Sequence, residues 1–280
     1  MNDYIQQIEK NGYCLIPQVF EADRVRKALR LSQEWYERTK DTLAENLPAL
    51  AKNDPFVWNL QNKDHFFLEL LFSAEEPLRI LKHFLNDRWF KQIPESEPNY
   101  ILRSFMARSS SKVLPMHIDS LVPYRGTEVF VMQMSIILED QTVRNGCTFV
   151  VPGSHASGEY ADQKAFEIAV PVESKAGDVV MWDSRIWHGT RENHSTGTRW
   201  AIIGTFVRWW IKQMFNIPAN VPQEIYEKLT DSQKALLGYC SIPYNDETEG
   251  VDMKRGYDTL LPDVAAYRAF GQTAEPLSSR

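Results

Sequence analysis

Between about residues 100 and 210, Gly, Pro, Asn and Ser cut the chain into short β-rich runs, and this spacing narrows the fold more than any other feature. The pattern predicts strands near 100–107, 113–119, 128–138, 147–151, 167–172, 178–183, 185–190 and 199–210. Turn signals stand between them: Arg144-Asn145-Gly146, Pro152-Gly153-Ser154, Ala176-Gly177-Asp178 and Ser195-Thr196-Gly197. Many short strands at such intervals point to a sandwich or jelly roll.

The flanks read differently. Residues 1–99 are mainly helical. Over 21–39, Val25, Ala28, Leu29, Ser32, Trp35 and Tyr36 recur at helical spacing. Asp64 is placed to cap a helix carrying Phe66, Phe67, Leu70 and Leu71, and Pro77 suits the first turn of another. Tyr13 to Val19 reads as an opening strand. The segment 211–280 holds Pro, acids and aromatics, with one helix expected over about 222–238. The simplest organisation is one domain: a mainly β core over 100–210, a helical part before it, and an extension packing on the core or its mouth.

Composition excludes several classes. A net charge of −6 and the lack of a basic block argue against nucleic acid. No apolar run is long enough to span a membrane, and the first residues lack the pattern of a signal peptide. Three widely spaced cysteines, Cys14, Cys147 and Cys240, fit neither a disulfide framework nor a zinc knuckle. The expectation is a cytoplasmic protein acting on a small molecule, with its oligomeric state open.

The chemistry lies in three residues. His117 and Asp119 form His-x-Asp in an expected strand, where alternate residues share a face and can meet one ion. His188, in Trp-His-Gly-Thr, sits on a later strand that must fold back. Two imidazoles and a carboxylate suit Fe(II) with open positions for reactants. Alone, a His-x-Asp pair is as well read as a surface pair. Arg199, shortly after His188, adds a guanidinium fork suited to a dicarboxylate. Its other reading is a surface arginine at a strand start. His155 follows a tight turn and reads as structural.

Five pieces in order carry a family resemblance: Met-His-Ile-Asp (116–119), Asn-Gly-Cys-Thr-Phe-Val-Val-Pro-Gly-Ser-His (145–155), Ala-Gly-Asp-Val-Val-Met-Trp-Asp (176–183), Trp-His-Gly-Thr (187–190) and Thr-Arg-Trp-Ala (198–201). In these the chain resembles the phytanoyl-CoA dioxygenase family of Fe(II)/2-oxoglutarate-dependent oxygenases. The resemblance implies a double-stranded β-helix, the cupin-like jelly roll, with iron held by His117, Asp119 and His188. It implies that Arg199 binds the far carboxylate of 2-oxoglutarate, with O2 as the other reactant. Gln133 and Ser135 share a face of the strand that in the family runs beside the cosubstrate. Gln133 is either a donor to 2-oxoglutarate or a core amide. The family often has Trp at the place of Ser135, so the pocket there is expected to be larger or differently held. Related halogenases lack the ligand aspartate; Asp119 is present, so hydroxylation, desaturation or ring formation is expected instead.

Candidates to face the substrate are Arg103, which would pair with an acidic group, and Leu121, Tyr124 and Arg125 in the loop after Asp119; plain loop packing is the alternative for each. Two other readings stay open: a cupin-like metalloenzyme doing redox-neutral isomerisation or hydrolysis, and a non-catalytic binding module.

Overall fold

A computed structural model of the chain describes residues 3–42, 54–87, 97–242 and 247–248. Its centre is a pair of antiparallel sheets built from β1 (Tyr13–Ile16), β2 (Phe56–Trp58), β3 (Ile101–Arg108), β4 (Leu114–His117), β5 (Val131–Ile137), β6 (Thr148–Val150), β7 (Val170–Val172), β8 (Val179–Asp183), β9 (His188–Thr190) and β10 (Ala201–Val207). The larger sheet has the order β1-β8-β5-β10-β3-β2 and the smaller β4-β9-β6-β7. Strands 3 to 10 form the expected double-stranded β-helix, and β1 and β2 extend the larger sheet at its two edges.

The larger sheet is covered on both faces, which is why every residue of β5 is buried. Its outer residues, Met132, Met134 and Ile136, join Leu102, Phe105, Met181, Ile202 and Phe206 in a large apolar cluster. Helices supply the other half of that cluster: α1 (Tyr4–Asn11), α2 (Ala22–Thr39), α3 (His65–Phe72) and α4 (Glu75–Leu85). The inner residues alternate with the outer ones along each strand. Deep in the barrel they are apolar, as in Ile137, Val150, Val172, Val180 and Ala201. Elsewhere on the same face stand Gln133, Ser135, Ser104 and Thr205, all buried.

Local signals explain most boundaries. The Asp64 carboxylate accepts the Phe66 N–H at 2.8 Å and starts α3 as expected. Helix α4 begins at Glu75, so Pro77 lies in the first turn, where no intrahelical donor is needed. The opening strand is shorter than expected: Pro17 lacks an N–H and Gln18 has φ +48°, so β1 stops at Ile16.

Two expectations are corrected. The strand expected to run to Asp119 ends at His117, because the N–H groups of Asp119 and Ser120 both donate to the Ser184 carbonyl, at 2.8 and 3.0 Å. The helix expected over 222–238 is two helices, α6 (Gln223–Tyr226) and α7 (Asp231–Leu236), following α5 (Ile217–Asn220). Thr230 breaks it by forming a capping box with Gln233. Of the expected C-terminal extension, 243–246 and 249–280 lie outside the described residues. Among the described residues no helix is long and apolar enough to cross a membrane.

Candidate metal centre

His117 and His188 are directly opposed in the β4–β9 pair, and their ring centroids lie 4.1 Å apart. Asp119 swings in from the turn after β4, fastened to Ser184 at the end of β8. Its Oδ1 is 3.4 Å from His117 Nε2 and its Oδ2 is 3.2 Å from His188 Nε2. One ligand atom from each of the three lies within 4.8 Å of the other two. Among the described residues no other group of three or more His, Cys, Asp or Glu side chains gathers in this way.

The backbone sets the tautomers. His117 Nδ1 is 2.8 Å from the Pro115 carbonyl and His188 Nδ1 is 3.0 Å from the Ile186 carbonyl. A carbonyl only accepts, so each Nδ1 carries a hydrogen and Nε2 is the atom each ring turns toward the centre, free to ligate once deprotonated. Trp182 Nε1–H donates to Asp119 Oδ2 at 3.3 Å and orients the carboxylate. Burial pushes the Asp119 carboxyl up, but the charges and hydrogen bonds of His188 and His117 outweigh it and hold the group well below the usual carboxylate range. Burial likewise pulls His117 down, and the bond to Asp119 more than reverses it. The donor set fits a divalent ion of the iron type, which would take the place of the protons shared between the two Nε2 atoms and the ionised Asp119 carboxylate.

Arg199 precedes β10 and is buried. Its N–H donates to Ser109 Oγ at 3.0 Å and its Nε to the Ser110 carbonyl at 2.8 Å. The turn that makes this cradle is held by Asp54, which accepts from the Ser110 hydroxyl at 2.8 Å and from the Ser111 N–H at 3.2 Å. Arg199 Nη2 is buried with no hydrogen-bond partner. Burial first, and the like charge of Arg108 second, push this guanidinium down to about 10. A buried cation with an orphaned donor fits a carboxylate from outside the protein.

Gln133 and Ser135 lie on the inner face of β5. Ser104 donates to Thr205 Oγ1 at 3.0 Å, and Thr205 donates to Gln133 Oε1 at 2.8 Å. That relay fixes the amide with Nε2 as the remaining donor. Ser135 is buried opposite Val180 and Ile203 on the neighbouring strands.

The four proposed substrate-facing residues are placed differently from one another. Arg103 is half-buried and feels the charge of Asp119. Leu121 is 67% exposed with φ +67°, close after Asp119. Tyr124 stacks on Phe130, accepts its N–H at 3.1 Å and lies beneath Arg185. Arg125 donates to the Ser157 carbonyl at 3.1 Å. His155 is buried, with Nε2 3.2 Å from the Glu9 carbonyl and Nδ1 without a hydrogen-bond partner.

Arg108, Asp54 and Trp182 are the site residues that sequence reasoning missed. Trp182 had a signal: its strand alternates, and it falls on the same face as the barrel interior. A separate cavity of about 780 Å³, lined in part by Ile8, Glu9, Asp183, Arg185 and Arg208, does not include the trio. Its arginines are paired, Arg185 with Asp183 at 2.5 Å and Arg208 with Glu128 at 2.6 Å.

Comparison with known proteins agrees with this geometry. The chain is 25% identical over 256 residues to a protein of Aspergillus fumigatus named dioxygenase af480, covering 87% of this chain and 79% of that one. It is 26% identical over 275 residues to phytanoyl-CoA dioxygenase 1 of Oryza sativa subsp. japonica, covering 81% and 97%. Among solved structures it shares its fold with HygX from Streptomyces hygroscopicus, which has nickel and 2-oxoglutarate bound: TM-score 0.56, 16% identity, 76% of this chain and 89% of that one. The family model described as phytanoyl-CoA dioxygenase (PhyH) matches residues 8–201, the stretch that holds every ligand candidate and Arg199, and the chain therefore belongs to that family of dioxygenases.

Proposed function

We propose that the protein is a non-heme Fe(II)- and 2-oxoglutarate-dependent dioxygenase that hydroxylates an unactivated C–H bond of a small or medium-sized metabolite. The observation that carries this reading is the pairing of the His117–Asp119–His188 cluster with a buried arginine whose Nη2 lacks a partner. A metalloenzyme that works without 2-oxoglutarate, or a binding module on the same scaffold, has no use for that dicarboxylate clamp.

When bound, iron with 2-oxoglutarate and O2 supplies the oxidising chemistry, splitting the cosubstrate to succinate and CO2 as the substrate carbon is oxidised. The chain's own residues position and shield. His117 and His188 present Nε2, held in that tautomer by the Pro115 and Ile186 carbonyls. Asp119 presents its carboxylate, steadied by Trp182. Arg199 anchors the far carboxylate of 2-oxoglutarate and so fixes its orientation. Gln133 offers Nε2 to the same cosubstrate, and Ser135 makes space beside it. The apolar barrel floor excludes water behind the site. On the substrate side stand Arg103 and Leu121, while Tyr124 and Arg125 act by holding the loop. We read residues 1–280 as one catalytic domain with 100–210 as its core. The free cysteines Cys14, Cys147 and Cys240 agree with a reducing, cytoplasmic setting.

The test is anaerobic loading with Fe(II) and 2-oxoglutarate. The wild type is expected to develop a visible charge-transfer band and, once O2 is admitted, slow release of succinate; His188→Ala is expected to show neither. Wild-type protein that binds iron yet gives no band and no succinate would refute the reading.

A further inference from the structure

The register between β3 and β10 slips at one place. Thr205 stands opposite Ser104 and Phe206 opposite Leu102, so Arg103 is an extra residue with no partner on β10. A bulge of this kind re-aims a side chain, and bulges gather beside active sites. Of its neighbours, Ser104 points into the barrel through its bond to Thr205 and Leu102 belongs to the outer apolar cluster, so the bulge by itself allows Arg103 either face. The charge that acts on Arg103 against the effect of its burial is that of Asp119, inside the barrel.

Arg103 differs from the other partly or fully buried arginines. Arg185 is held by Asp183 and Arg208 by Glu128. Arg108 has Asp54 at 4.0 Å. Arg199 has its carbonyl and, on the reading above, the cosubstrate. The Arg103 guanidinium makes no hydrogen bond or ion pair among the described residues. Charge balance sharpens the point. Iron's two positive charges are halved by Asp119, Asp54 offsets Arg108, and a doubly charged 2-oxoglutarate offsets Arg199 and the remaining charge on iron. Arg103 is then the one cation at the site without a counter-charge. Arg199 and Arg103 also enter from opposite ends of β10, about 15–20 Å apart along the strand at its usual rise. The two arginines therefore approach the site from different ends.

We propose that Arg103 is the anchor for the primary substrate and that this substrate is an organic acid, its carboxylate paired with the Arg103 guanidinium and its reacting carbon held toward the metal centre. The inference rests on the oxygenase reading and adds the substrate class to it.

The experiment uses full-length protein loaded with Ni(II) and saturating 2-oxoglutarate. Matched probes are compared by thermal shift and calorimetry: octanoate with octanamide, 3-phenylpropionate with its amide, and phenylphosphonate. The acids are expected to bind at least tenfold more tightly than their amides. Arg103→Gln is expected to reduce acid binding to the amide level while keeping the shift caused by nickel and 2-oxoglutarate, and Arg103→Lys to recover part of the acid preference. Equal binding of acids and amides, or undiminished acid binding by Arg103→Gln, would overturn the proposal. So would tighter binding of the phosphonate than of every carboxylate, or loss of the 2-oxoglutarate shift in Arg103→Gln. A wild type with no shift from nickel and 2-oxoglutarate would instead sink the oxygenase reading, and this inference with it.

Discussion

Replacing Arg199 by Met separates a ligand-binding arginine from a structural one. In the free protein the guanidinium is buried beside a like charge, and its value is pushed down to about 10. At 1.36 kcal/mol per tenfold, that corresponds to about 3 kcal/mol of unfavourable charge burial. The sign matters. Folding lowers the value of a base, so the unfolded chain holds the proton more tightly. The cost is therefore fully present at neutral pH and would be relieved only above about 10. Against it stands the Nε bond to Ser110, 2.8 Å long and worth about 1.5–3 kcal/mol as a charged hydrogen bond. The two nearly cancel, so Arg199→Met should change ligand-free stability by no more than about 1 kcal/mol, a shift of about 3 °C for a chain this long. With 2-oxoglutarate the balance reverses. The wild-type charge gains its carboxylate, and losing a buried charge-assisted pair costs at least about 3 kcal/mol, a hundredfold or more in Kd. Thermal unfolding with and without Ni(II) and 2-oxoglutarate, with calorimetry for the affinity, reads both halves. A variant that loses ligand-free stability by about 8 °C or more, yet binds 2-oxoglutarate as the wild type does, would refute the reasoning.

Three further outcomes follow from the geometry. Trp182→Phe removes the hydrogen bond to Asp119 but keeps the ring, so nickel affinity measured by competition should fall about 10- to 100-fold with little change in fold. A Cβ on Gly189 would lie 2.7 Å from the Leu114 carbonyl, so Gly189→Ala should separate β9 from β4, cost about 2 kcal/mol in denaturant unfolding and weaken metal binding through His188. Phe67 is fully buried in the outer cluster and far in sequence from the site, so Phe67→Ala should cost about 3–5 kcal/mol in stability and leave the Kd for 2-oxoglutarate near its wild-type value.

The site was legible in the sequence wherever its residues sit in short fixed motifs. His117, Asp119, His188 and Arg199 each stand beside turn and strand signals that survive folding. The reason given for Asp119 was incomplete, however: the carboxylate is aimed by the Ser184 carbonyl, a contact between two sheets, and not by strand alternation alone. Arg103 could be named but not placed, because a bulge exists only in the pairing of two strands and leaves no mark on either one. Asp54 and Arg108 were invisible for a similar reason: their partners lie across the fold. The break in the expected helix over 222–238 was legible in principle, since Thr230 and Gln233 spell a capping box, but the apolar spacing across it hid the stop.

The distribution of polarity across the larger sheet explains why this core is built with helices on it. A barrel that keeps Gln133, Ser104, Thr205, Arg108 and Arg199 on its inner face gives up apolar burial there, and each such group must be bonded or left for a ligand. The outer face has no such duty. Met132, Met134, Phe105, Ile202 and Phe206 project from the same strands into the cluster formed with the helices, so the burial that the interior lacks is recovered one side chain away. Strand alternation thus lets one sheet serve two environments: a dry helical layer that stabilises it, and a polar chamber around the candidate metal centre. The stability of this protein and its chemistry are therefore expected to respond to different residues of the same strands, even at adjacent positions such as Met132 and Gln133.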